Sequence, residues 1–227
     1  MMAVGCKIRK NFTRPDRKLV EAFQGIPVAN IDDCMGRIAS VDAGLSPMNS
    51  SPLLGTAFTV RCPAGDNLMF HKALDLAQPG DVLVIAAGGS MSRALCGEIM
   101  ATYAKSRGLA GFIIDGCVRD RDELAAFTDF PIYARGIIPN GPYKNGPGEI
   151  NFPVSVGNQV ICPGDILVGD GDSLIVIKPE DAEELARQAA AVHKKEEGQL
   201  ADIRSGKGFP RPFVDQILEQ IGVEYVD

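Results

Sequence analysis

The 227-residue chain has no tryptophan and only two histidines, His71 and His193. A three-histidine zinc site within one chain is therefore excluded, and any bound metal is expected among oxygen ligands. No CxxC pair occurs. The six cysteines (Cys6, Cys34, Cys62, Cys96, Cys117 and Cys162) are spaced too widely for a zinc ribbon. Residues 1–10 contain no apolar h-region, so reduced, mostly buried thiols in a cytoplasmic protein are expected rather than three disulfides. No apolar run approaches the roughly 18 residues of a membrane span, so no membrane partner is expected. Basic residues are in deficit, 23 Lys+Arg against 29 Asp+Glu, for a net charge of -6. A general nucleic-acid surface is thereby disfavoured, though a local basic patch remains open. Gly88-Gly89-Ser90 lacks the glycine spacing of a Walker or dinucleotide loop, and there is no internal repeat or interdomain linker.

The composition, 45% hydrophobic and 23% charged, is that of a globular chain long enough for one α/β domain. Helices are predicted over 15–24 and 29–36, a strand over 53–61, and a helix over 66–77 closed by Pro79-Gly80. A β-α-β-α-β run follows: strand 81–87, helix 93–105, strand 110–115, helix 119–127, strand 131–135. Such a run predicts parallel strands with right-handed crossovers and functional groups at the carboxyl ends of the strands. Residues 136–148 read as a Gly/Pro loop. Short strands are expected at 153–156, 159–161, 165–168 and 173–177. A long helix opening at Pro179 and running to about Arg204 comes next, then a terminal helix over 212–220. The expected architecture is one α/β domain with a curved or barrel-like sheet.

Chemistry-bearing residues are densest between Ser90 and Glu123. Twenty residues separate Glu98 from the pair Arg119-Asp120. A helix, a strand and a turn of these lengths bring both acids to one sheet edge. Two carboxylates there can hold a hard divalent cation, and the adjacent arginine can take a carboxylate substrate in bidentate fashion. Free N–H groups at the helix start, near Gly97, Ile99 and Met100, can receive another substrate oxygen. The competing reading makes Glu98, Arg119 and Asp120 helix caps and surface ion pairs.

Gly97-Glu98-Ile99-Met100, with twenty residues between Glu98 and the run Arg119-Asp120-Arg121-Asp122-Glu123, resembles the signature of the RraA-like family. Gly65-Asp66-Asn67-Leu68 with His71-Lys72-Ala73, the strand Pro79 to Val84, and Gly164-Asp165-Ile166 before Gly169-Asp170 are similar too. The likeness spans roughly Ile26 to Gly206. That family includes 4-hydroxy-4-methyl-2-oxoglutarate/4-carboxy-4-hydroxy-2-oxoadipate aldolases and the regulator of ribonuclease E activity A. The resemblance implies a single swivelling β/β/α-type domain over 1–227, with 179–227 a helical extension contacting a neighbouring subunit in a homotrimer or homohexamer.

It also implies a class II pyruvate aldolase using Mg²⁺ or Mn²⁺. Such an enzyme cleaves a 4-hydroxy-2-oxo acid to pyruvate and a second oxo acid, and decarboxylates oxaloacetate as a side activity. Carried over by motif, Asp120 is the direct metal ligand. Glu98 holds the place of the family's first acid, often Asp, contacting the metal through water. Arg119 binds the pyruvyl oxygens and stabilises the enolate, and the amides of Ile99 and Met100 grip the substrate carboxylate. A glutamate from the neighbouring subunit's last long helix matches Glu197, with Glu196 its rival. These roles are physically consistent, because carbon–carbon cleavage leaves charge on the C2 oxygen, where a cation and an arginine stabilise it. The family's other branch gives the alternative of a non-catalytic protein inhibitor of a ribonuclease.

Other residues compete for attention. Lys178, ending an apolar strand, is a Schiff-base candidate or an ion-paired lysine. Cys117 beside Arg119 reads as packing, and Gly169 to Asp172 as a turn rather than a calcium loop. His71 is either a hydrogen-bonded helix residue or a contact to a bound phosphate, and His193 a solvated one. Arg135 either lines the pocket or forms an ion pair.

Overall fold

The computed structural model describes residues 4–226. The extreme ends of the expected 1–227 domain lie outside the described residues. In chain order the elements are β1 Cys6–Ile8, α1 Arg17–Glu21, α2 Val28–Cys34, β2 Ser46–Pro47, β3 Leu53–Arg61 and α3 Leu68–Leu76. Then come β4 Asp81–Cys96, α4 Glu98–Ser106, β5 Gly111–Val118, α5 Arg121–Ala125 and β6 Ile132–Ile137. β7 Gly148–Ile150, β8 Val154–Val156, β9 Gln159–Ile161, β10 Ile166–Gly169 and β11 Leu174–Ile177 follow. A 3-10 turn at Pro179–Asp181 leads into α6 Ala182–Arg204 and α7 Pro212–Ile221.

The main sheet is mixed, with strand order β1-β7-β3-β4-β5-β6-β2 and with β10 and β11 branching from β3. β3, β4, β5 and β6 are parallel. β3 and β5 are buried almost throughout, and so are the first halves of β4 and β6, because helices or a hairpin cover both faces. The pairing path is open and does not close into a barrel among the described residues.

Alternation along β4 divides the core. Leu83 and Ile85 face a cluster with α3, α4, Phe70, Phe112 and Phe130. Val82, Val84 and Ala86 face Tyr133 and the β8–β9 hairpin. A third cluster joins α1, α2 and the first turns of α6 to β10 and β11. Beyond Ala189, α6 and α7 bury no side chain, although α7 carries Phe213, Ile217 and Ile221 at four-residue spacing. No described helix is long and apolar enough to cross a membrane.

The largest departure from the sequence reading lies at residues 88–96. A loop and then a helix from Arg93 are expected there. Instead the strand continues to Cys96, and α4 opens only at Glu98. Gly88 and Gly89 take φ of 67° and 68°, which lets the strand bulge rather than end. Its outer part then pairs discontinuously with β5, as Ser90 with Gly116, Ala94 with Cys117 and Cys96 with Val118. The long strand delivers Gly97 and Glu98 beside the end of β5.

Phe112 meets Phe70 and Phe130 edge-on, each at 5.0 Å between ring centroids. Phe112→Ala is expected to cost about 3–5 kcal/mol in urea unfolding through cavity formation. A loss below about 1 kcal/mol would contradict the core described above.

Candidate active site

β4 ends at Cys96 and β5 at Val118, and the two ends are paired. Arg119 continues this pairing by donating its backbone N–H to the Cys96 carbonyl at 3.0 Å. Asp120 follows in the left-handed conformation, φ 60° and ψ 52°. Asp tolerates this region better than most L-residues, at a cost of about 1–2 kcal/mol. The turn sends the Asp120 side chain away from α5, whose N-terminus it leaves uncapped. Asp120 Oδ2 instead accepts the backbone N–H of Glu98 at 2.9 Å, capping α4 from another element.

Gly97 makes this approach possible. A β-carbon there would overlap Asp120 Oδ2 and lie 3.0 Å from Arg119 Cγ. Gly97 is in extended backbone, so its role is space and not conformational freedom. Ala101 is the first α4 residue to bond back, donating to the Gly97 carbonyl at 3.2 Å. The N–H groups of Ile99 and Met100 belong to the first turn, where a helix provides no acceptor. Ile99 is 82% exposed, and Met100 is buried.

Arg119 and Asp120 line a cleft of about 290 Å³ with Ile137, Ile138 and Pro139. Both side chains are partly exposed, and the Arg119 Nε to Asp120 Oδ2 distance of 3.9 Å leaves the guanidinium free to turn to a ligand. Behind them the Cys96 thiol is pushed well up by burial and by the Asp120 charge, which makes it inert. Among the described residues no three His, Cys, Asp or Glu side chains gather as a metal cage. A hydrated Mg²⁺ needs only one or two carboxylates, and the Asp120 and exposed Glu98 donor set fits that demand.

The structure thus brings Gly97 and the Glu98 backbone against Arg119 and Asp120 at the cleft edge, while Ile99 and Met100 follow in the first turn of α4 and line the neighbouring groove between α3 and α4. It does not bring Glu197 there within one chain. Glu197 is exposed on α6, 3.7 Å from His193 Nε2. Glu196 accepts a hydrogen bond from Asn30 Nδ2 at 2.7 Å.

The competing candidates resolve into structural parts. Lys178 lies 2.6 Å from Asp165 Oδ2. Burial opposes its charge, but the Asp165 hydrogen bond and charge prevail and raise its pKa, the opposite of a Schiff-base lysine. Arg135 pairs with Asp115 at 2.5 Å. The buried Cys117 packs on Met91, and burial raises its thiol pKa. Asp170 takes the N–H groups of Val28 and Asp172, as a turn does. His71 lines a separate groove of about 440 Å³ between α3 and α4. Partial burial, with the Lys144 charge, lowers its pKa.

Sequence reasoning placed a Gly/Pro loop at 136–148 but did not name its residues as part of the site. Its Ile138 and Pro139 form one wall of the cleft. Asp66 holds its far end by accepting N–H groups from Asn145 and Gly146, at 2.5 and 3.0 Å. The available signal was the buried-type motif Gly65-Asp66-Asn67, which has no role in the helix it precedes beyond one bond to Leu68 N.

Comparison with known proteins gives the family. A protein of Halalkalibacterium halodurans named "Putative 4-hydroxy-4-methyl-2-oxoglutarate aldolase" is 34% identical over 200 residues, 88% of this chain and 95% of the relative. The solved structure of Streptomyces coelicolor RraAS2, described as an unusual member of the RNase ES inhibitor RraA protein family, aligns with a TM-score of 0.72 and 26% identity. That alignment covers 82% of this chain and 98% of the other. The RNA-processing inhibitor RraA from Thermus thermophilis aligns with a TM-score of 0.61 and 28% identity, over 66% of this chain and 92% of that one. The RraA-like family model, described as Aldolase/RraA, matches residues 28–176, a span that holds every element of the cleft. On this family match and this relative, the chain belongs to the RraA-like family.

Proposed function

We propose that the protein is a divalent-metal-dependent pyruvate aldolase. Its substrate is 4-hydroxy-4-methyl-2-oxoglutarate or a related 4-hydroxy-2-oxo acid, and oxaloacetate decarboxylation is its side reaction. One observation carries this reading: Asp120 and Arg119 line one cleft, and Asp120 is held against the start of α4 beside a glycine that leaves room for it. The name borne by the Halalkalibacterium halodurans relative supports it.

In this reading the Ile99 and Met100 N–H groups receive the substrate carboxylate, and the α4 dipole favours that anion. Arg119 donates to the pyruvyl oxygens. When the C3–C4 bond breaks, its electrons move to the C2 oxygen and give the pyruvate enolate. Arg119 stabilises that charge, which is absent from the ground state. Asp120, with Glu98 through water, would hold Mg²⁺ or Mn²⁺. When bound, the ion supplies Lewis-acid charge at the same oxygen. Removal of the 4-hydroxyl proton and return of a proton to C3 complete the balance. By the family resemblance, Glu197 of a neighbouring copy would serve this proton traffic; in its own chain it lies exposed on α6. The exposed Phe213, Ile217 and Ile221 of α7 support such a subunit contact in a trimer or hexamer.

A second reading, a non-catalytic inhibitor of a ribonuclease, is favoured by the likeness to the two solved RraA proteins. Capture of a purified ribonuclease E-type enzyme by a chain that releases no pyruvate would select it.

The aldolase reading predicts pyruvate release from 4-hydroxy-4-methyl-2-oxoglutarate and from oxaloacetate, abolished by EDTA and restored by Mg²⁺. Undiminished turnover in EDTA would sink the metal mechanism. Arg119→Ala is expected to lower kcat/KM roughly a hundredfold to a thousandfold, about 3–4 kcal/mol. Gly97→Ala should cost at least about tenfold, by displacing Asp120, with unchanged circular dichroism. Near-wild-type turnover in either variant would remove that residue from the site.

A further inference from the structure

We propose that Arg93 is a positioning residue for Arg119 and acts through the backbone of Gly141. Its kinetic consequences rest on the aldolase reading, and its structural consequences do not.

The loop 138–147 walls the cleft but buries none of its side chains. Packing therefore does not hold it, and polar tethers must. One isolated bridge, Asp66 to Tyr143, is its only ladder contact among the described residues. Arg93 supplies the central tether. Its Nη1 donates to the Gly141 carbonyl at 2.7 Å, and its Nη2 to the Tyr143 hydroxyl at 2.7 Å. The guanidinium also stacks 4.0 Å above the Tyr143 ring. The next residue, Ala94, donates its backbone N–H to the Asn140 carbonyl at 2.8 Å. One short stretch of β4 thus grips the two peptide units that flank the Gly141 α-carbon.

Arg119 lies against the same glycine. Its Nη1 is 3.4 Å from where a Gly141 β-carbon would stand. Gly141 is therefore set between two guanidinium groups, one bonded to its carbonyl and the other resting near its α-carbon. Arg93 is itself seated on Gly65, where a β-carbon would press on Arg93 Cδ at 2.9 Å. Rigid β4 thereby fixes Arg93, Arg93 fixes Gly141, and Gly141 limits where the Arg119 guanidinium can go. A bidentate planar donor suits this task, whereas a single ammonium makes fewer of these bonds.

The test compares full-length wild type, Arg93→Ala and Arg93→Lys. Three readouts are used: amide hydrogen exchange, phenylglyoxal modification of Arg119 followed by peptide mass spectrometry, and pyruvate-release kinetics in Mg²⁺. In Arg93→Ala, exchange should accelerate across 138–146 while the sheet is unchanged, and Arg119 should be modified faster. The kcat should fall about tenfold with KM altered less than about threefold, since the misplaced group acts on charge that develops in the transition state. Arg93→Lys should recover part of each effect through one restored bond to Gly141. Wild-type exchange and Arg119 reactivity in Arg93→Ala would overturn the proposal. So would a rise in exchange spread evenly over the sheet, which would mean general destabilisation. If the wild type releases no pyruvate, the aldolase reading falls, and exchange with Arg119 reactivity still decides whether Arg93 positions Arg119.

Discussion

The hydrogen bond from the Glu98 backbone N–H to Asp120 Oδ2 ties the site together. It joins the start of the helix after β4 to the turn after β5, two points separated by a whole crossover. A helix N-terminus and a carboxylate are natural partners, since the dipole and the open N–H groups both favour negative charge there. Here the partner comes from another element, and the fold accommodates this at two residues. Gly97 gives up its side chain, and Asp120 adopts a left-handed backbone. The result places a carboxylate and a guanidinium in one cleft, beside the start of α4. The same bond would stabilise the fold with no reaction at all, so function rests on the other groups that converge there.

The cleft depends on rigidity from two directions. Below it, β5 and the inner half of β4 are buried on both faces and paired in continuous register. Above it, the loop 138–147 has no core of its own and is tied down by Arg93, Asp66 and backbone bonds. The bulged outer half of β4 links the two, carrying Arg93 outward to the loop and Gly97 inward to Asp120. The double glycine at 88 and 89 is the hinge in the chain path that lets one strand serve both purposes.

Much of this was legible in the sequence. Continuous apolar runs placed β3 over Leu53–Arg61 and β9 over Gln159–Ile161, with both ends in agreement. The spacing from Glu98 to Arg119-Asp120 placed the acids at one sheet edge, because the lengths of helix and strand are set by geometry. The outer half of β4 was not legible. Gly-Gly-Ser followed by Met91, Ala94 and Leu95 carries turn and helix signals, and tertiary pairing with β5 overrides them. The loop's tethers were hidden for another reason: hydrogen bonds from Arg93 to Gly141 and Tyr143 join residues about fifty apart, with no periodicity to betray them.

The central claim is that Asp120, Arg119 and the first turn of α4 form one anion- and metal-binding site. A crystal soaked with Mn²⁺ and oxalate, a planar mimic of the pyruvate enolate, tests it most directly through the anomalous signal of the metal. The account predicts a manganese peak coordinated by Asp120, with oxalate bonded to Arg119 and to the Ile99 and Met100 amides. Manganese and oxalate bound elsewhere, with Asp120 still capping α4 and no ligand beside it, would contradict it.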